Sequence, residues 1–263
     1  MAVYDPTRYV RPKPMNHCLT ISLGIFISAI LLSACSTRDY RTADRSSAGI
    51  AKTPQEEPAA LVQLYAARTI NWRGTFAVHS WFATKEKDAD HYKVYHVIGW
   101  RLRRNLSPVV IEADIPDRKW FDAVPDLLLE IKGPRAEKII PKIEKYAASY
   151  PYPNSYRAWP GPNSNTFVSY ILRNVPEIGM ELPPHAIGKD WLSEGYLFGL
   201  TEAGTGVQFS LLGALGFVVG LNEGFELNVL GLNFGIDFLR PALKLPLIGR
   251  VGFRDKPWSF ADE

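Results

Sequence analysis

Apolar and polar positions change rhythm several times along the chain. Leu19 to Leu32 is an apolar run, too short for a comfortable membrane span. Between Pro58 and Arg68, the grouping of Leu61, Val62, Leu64 and Tyr65 predicts a short amphipathic helix. From Gly74 to Ala83 the pattern turns to strand, with Phe76, Val78 and Trp81-Phe82 among small and polar residues. Tyr92 to Trp100 reads as a second strand. The charged stretch from Lys85 to Asp90 between them makes the pair a β-hairpin with a solvated tip. Val109 to Ala113 and Leu127 to Ile131 are further short apolar runs. Ala136, Ile139, Ile140, Ile143, Tyr146 and Ala147 then follow the i, i+3, i+4, i+7 template of a helix, which Pro141 is expected to bend or break. Phe167, Val168, Ile171 and Leu172 predict a second helix from about Ser164 to Asn174, and 177–190 reads as irregular.

The pattern shifts again at Thr205. Glu226 and Asn228 alternate with Phe225, Leu227 and Val229, and Asn222-Glu223-Gly224 is a turn signal. A glycine-rich β-meander over about 206–240 follows. The competing reading, a transmembrane helix at 207–221, is short for a span and holds Gly213, Gly216 and Gly220. Residues 241–249 read as an extended, proline-punctuated tail. The expected fold class is α+β: an antiparallel sheet packed with helices over 57–200, then a β-rich extension over 201–263.

The amino-terminal segment reads as an address. Arg8, Arg11 and Lys13 precede the apolar run, which ends in Leu32-Ser33-Ala34-Cys35. That tetrapeptide resembles a bacterial lipobox, in which a signal peptidase cuts before a cysteine that carries lipid. The resemblance implies a signal peptide over 1–34, palmitate on Cys35 and membrane attachment through that lipid. Ser36 after the cysteine implies an outer-membrane lipoprotein facing the periplasm. Residues 36–56 lack apolar periodicity and read, with Cys35, as a flexible tether over 35–56. Removing 1–34 takes Cys18 and lowers the net charge from +3 to +1, because that segment holds three basic residues and one acidic. The mature chain would have no disulfide and no free thiol, and its charge makes no case for nucleic acid.

The chemistry concentrates at Trp159-Pro160-Gly161-Pro162-Asn163-Ser164-Asn165. A helix beginning there offers unpaired N–H groups and a dipole that favours negative charge. His79 and His96 lie on the two strands of the hairpin, where pairing of residue 79 near 97 brings them together, although a one-residue slip would turn one of them over. A helix-start nucleophile facing a strand histidine is the arrangement of papain-like catalysis. Asn163-Ser164-Asn165-Thr166-Phe167-Val168, coming after the histidine strands, resembles the permuted papain-like proteins of the NlpC/P60 and lecithin:retinol acyltransferase-like type, with serine at their cysteine position. That resemblance implies Ser164 as nucleophile, His79 as general base, His96 as orienting residue, and Asn163, Asn165 and Trp159 around an oxyanion or substrate. A hydroxyl is much harder to activate than a thiol, so the departure weighs against catalysis.

Plain readings stand beside this one: Ser164 as a helix cap, the histidines as sheet residues, and Trp159 as a pocket wall. His79, His91 and His96 lack metal-ligand spacing, and no cofactor or metal is called for. Over nearly the whole mature chain, the run from Tyr150 to Arg173 with its Gly-Pro-Asn-Ser-Asn-Thr-Phe motif, then Leu182 to Trp191 and Leu227 to Phe238, resembles an uncharacterised family of Gram-negative lipoproteins with a domain of unknown function. The readings left are a Ser/His hydrolase or acyltransferase acting on envelope amides or esters, with peptidoglycan or lipid as its target, an inactive papain-like binding protein, and a structural envelope lipoprotein whose C-terminal meander docks on membrane or a partner.

Overall fold

A computed structural model describes residues 39–192 and 196–253; the signal segment and Cys35 lie outside the described residues. The described residues form one compact unit.

Five antiparallel strands make the first sheet: β1 (Leu61–Arg68), β2 (Val78–Lys85), β3 (Lys93–Val97), β4 (Val109–Ala113) and β5 (Asp126–Lys132), in the order β4-β3-β2-β1-β5. The helix expected over Pro58–Arg68 is therefore a strand. The reason is its position beside β2, near the middle of the sheet. Both its faces are covered, so it reads as a near-continuous apolar run with no clean alternation. The expected hairpin forms, with Phe82 opposite Tyr95 and Ala83 opposite Val94.

Two helices cover one face: α1 (Pro134–Ala148) and α2 (Ser164–Asn174). Pro141 sits inside α1 without ending it. Ile139, Ile140 and Ile143 of α1 and Phe167, Val168, Ile171 and Leu172 of α2 are buried against Val62, Leu64, Phe82 and Tyr95 of the sheet. The other face carries a smaller cluster, with Tyr65, Trp81 and Val94 under Trp120 of the loop after β4.

Residues 39–56, expected as a tether, are pinned to that same loop. The Asp117 carboxylate accepts from the Ser47 hydroxyl and from the Ile50 and Ala51 N–H groups, and Lys119 reaches Asp44 at 2.6 Å. Polar side chains do the docking, so no hydrophobic period announces it.

Seven antiparallel strands form the second sheet, a simple meander: β6 (Phe198–Leu200), β7 (Gly206–Leu211), β8 (Leu215–Gly220), β9 (Gly224–Val229), β10 (Leu232–Asp237), β11 (Ala242–Leu245) and β12 (Gly249–Gly252). The predicted meander is present, and the expected tail from 241 supplies its last two strands. No helix among the described residues is long and apolar enough to cross a membrane. The polarity of this sheet is inverted. Gln208, Ser210, Glu226, Asn228, Asn233 and Lys244 face inward and are buried, while Val207, Phe217, Val219, Leu227, Phe234 and Leu243 face outward.

Candidate functional site: the start of α2 and the histidine pair

Asn163, not Ser164, caps α2. Its Oδ1 accepts from the Asn165 and Thr166 N–H groups at 2.9 and 3.1 Å, and the Thr166 hydroxyl accepts from the Asn163 N–H, closing a capping box. Its Nδ2 donates to the Ala158 and Ile187 carbonyls. Gly188 passes close beneath. It has φ +101°, and a Cβ there would lie within 2.3 Å of the Asn163 side chain. Every polar atom of the Asn163 side chain is thus committed to structure.

Asn165 is committed as well. It accepts from the Ser80 hydroxyl at 2.8 Å and donates to the Val78 and Ile187 carbonyls. Thr166 donates to Gly188 and Ser169 to Lys189. The start of α2 therefore clasps β2 to the 185–190 segment. Ser164 opens the buried stripe that continues through Val168 and Ile171, and its hydroxyl makes no hydrogen bond among the described residues. Trp159 is half exposed and donates its indole N–H to the Leu230 carbonyl at 2.9 Å.

The histidines meet as the hairpin predicts: His79 Nε2 and His96 Nδ1 are 3.4 Å apart. One ring must donate and the other accept, so neither needs charge. Both are buried. Trp120 stacks on His79 at 3.7 Å between centroids, and Trp81 lies beside the pair, 5.7 Å from His79 and 6.3 Å from Trp120. Burial, reinforced by His96, holds the His79 pKa well below its usual value, and burial lowers that of His96 to about 4. Among the described residues no three metal-ligating side chains converge here or elsewhere.

These two groups lie on opposite faces of the sheet. Side chains alternate along a strand. Val78 and Phe82 of β2 face the helices, and Ser80 between them bonds Asn165. His79 and Trp81 face the Trp120 loop. The sheet thus stands between Ser164 and the imidazoles, and the β2 side chain presented to the start of α2 is a serine. Both faces of β2 are largely apolar, so alternation alone did not reveal which one carries the helices.

A polar centre that sequence reasoning missed lies behind the clasp. Lys189 is buried and bonds Glu226 at 2.6 Å and Asp190 at 3.2 Å. Lys244 bonds Glu226 at 2.8 Å and Glu181 at 2.5 Å. Asp190 also accepts from Asn228 and Asn233. Against the penalty of burial, the two lysines hold Glu226 at about 2, whereas burial raises Glu181 and Glu202. The available signal was Glu226 and Asn228 alternating with apolar neighbours, which marks a strand without saying which side faces inward.

A family model described as a protein of unknown function, DUF3750, matches residues 59–191. That is just over half of the chain, and it takes in both strand histidines and the clasp. The chain belongs to the DUF3750 family. No curated protein and no solved structure matches it. The DUF3750 match ends at Trp191, so it includes Lys189 and Asp190 of the buried ionic centre but not the meander that supplies Glu226 and Lys244.

Proposed function

We propose that this DUF3750 protein is a lipid-anchored envelope protein, held in the outer membrane through palmitate on Cys35, that binds or braces envelope components and does not hydrolyse them. The observation that carries the non-hydrolytic reading is the register of β2, which turns Ser80 to the helix start and His79 to the far side. A serine without a base at hydrogen-bond distance stays a poor nucleophile at neutral pH. Three further features support it. Asn163 and Asn165, the residues suited to an oxyanion, are spent on carbonyls and amides. The capping box occupies the N–H groups of Asn165 and Thr166. The imidazoles are buried, with Trp120 stacked over His79.

The lipid anchor rests on the Leu32-Ser33-Ala34-Cys35 sequence. Cys35→Ala is expected to accumulate as a precursor without palmitate label. For the chemistry, the intact protein is treated with a fluorophosphonate probe. The account predicts no labelling that depends on Ser164. Labelling of the wild type that Ser164→Ala abolishes would reinstate the hydrolase.

A further inference from the structure

The outward face of the meander is the largest feature that the proposed role leaves unexplained. Seven strands of three to six residues at the usual spacing make a surface roughly 34 Å wide and at most about 20 Å deep. Its side chains, among them Phe217, Val219, Leu227 and Ile236, are uncharged and exposed. At about 550 Å² it stands at the top of the range for the largest apolar patch of an ordinary monomer, on the order of 300–600 Å². The opposite face of the same sheet buries lysine, glutamate and asparagine. A sheet facing water on its free side has the reverse arrangement.

The turns extend the same preference. β9 and β10 join through Leu230-Gly231, with φ +55° and +80°. Asn-Gly is the usual choice for such a turn. Leu212 and Leu247, in the β7–β8 and β11–β12 turns at the same end of the sheet, also have positive φ. Leu212 and Leu230 are exposed. Leucine is a poor residue for this backbone and for contact with water, so each tip is kept apolar against local preference.

Aromatic rings and arginines border that end. The half-exposed Trp159 bonds the Leu230 carbonyl, and Arg68 bonds the Leu247 carbonyl at 2.7 Å. Arg68 also contacts the carbonyl of Gly74, in the short helix that exposes Trp72 beneath the Arg73 guanidinium. Indole and cation together are the composition found at a membrane–water interface.

We infer that the outer face of the meander, with the leucine tips at its Trp159 end, lies on a lipid bilayer. Two such faces stacked on each other would bury about 1,100 Å², near the lower limit for a specific dimer, so a second copy is the rival occupant. A facing sheet, however, would leave the tips and the indole rim in water, whereas a bilayer takes in all three. A sheet lying flat keeps its backbone hydrogen bonds within its own ladder, as lipid requires.

The inference does not depend on the anchor, so its test omits Cys35. The chain from residue 36, exported behind a cleavable signal that receives no lipid, is floated with vesicles of phosphatidylethanolamine and phosphatidylglycerol. The wild type is expected to float with them. Leu212→Asn and Leu230→Asn place a residue that tolerates positive φ at each tip, so the melting temperature should hold or rise. Each should lower the partition coefficient about tenfold, the worth of one buried leucine. A wild type that stays out of the vesicle fraction, or that forms a dimer in solution without floating, overturns the inference. So does flotation that both Asn variants leave unchanged. Failure of palmitate labelling at Cys35 would touch only the anchor.

Discussion

Asn163 and Ser164 are neighbours with opposite energetic weight. The Asn163 side chain makes five hydrogen bonds that tie a helix to two loops, whereas the Ser164 hydroxyl has no partner among the described residues. Asn163→Ala is therefore expected to destabilise the fold by about 2 kcal/mol or more, and Ser164→Ala to stay within about 0.5 kcal/mol of wild type, measured by urea unfolding. A catalytic serine would show the reverse pattern, little in stability and orders of magnitude in rate. The histidines give a second test at this scale. His96 titrates near 4 in the fold and near 6.5 in the unfolded chain, so the unfolded state binds the extra proton as pH falls between those values. The stability that comes from keeping His96 neutral is complete above about 6.5 and is lost as pH falls toward 4, at about 1.4 kcal/mol per pH unit. Buried Glu181 and Glu202, raised by burial, act in the opposite direction, so the comparison must be between proteins. His96→Gln should flatten the acid side of the stability profile by one proton's slope; an unchanged slope would mean that His96 is charged in the fold. The sequence revealed the helix start and the meeting of the histidines, because both follow from short-range spacing. It concealed which side of β2 meets the helix, because Val78 and Phe82 on one side and Trp81 on the other are all apolar.

Among the elements, periodicity worked where one face is dry and the other wet. α1 and α2 lie within a few residues of their predicted places, and the alternation in β9 was plain. It failed at β1, whose Leu61 to Ala67 are buried on both sides, and in β11 and β12, whose flanking Pro241 and Pro246 read as loop. The second sheet was recognised as a sheet with its two faces unassigned, because its inner face is ionic. That inner face carries a prediction of its own. Glu226 bridges Lys189 and Lys244 out of contact with water, and removing it leaves two buried cations short of a partner. Glu226→Ala should cost about 3–5 kcal/mol in urea unfolding, well beyond any surface substitution. A loss near zero would mean that water reaches the cluster. Lys244 sits on β11, outside the matched family region, and a comparable loss in Lys244→Met would tie the meander energetically to the DUF3750 domain.

At the scale of the molecule, residues 39–56, the two-sided first sheet and the meander make one body, in which the motif Trp159 to Asn165 works as a clasp. It holds β2 through Asn165, the 187–188 backbone through Asn163 and Thr166, and the tip of β9–β10 through Trp159. A conspicuous motif at a helix start thus has a complete structural explanation, and the non-hydrolytic reading depends on which β2 residue faces it. Engineered disulfides measure that directly, since the chain from residue 36 contains no native cysteine. Ser80→Cys with Asn165→Cys, whose side chains touch at 2.8 Å in the wild type, should cross-link readily under mild oxidation of the folded protein. His79→Cys with Ser164→Cys should remain two free thiols until the protein is unfolded. Rapid cross-linking of the second pair, with the first left reduced, would put imidazole and hydroxyl on the same side of the sheet and contradict the account.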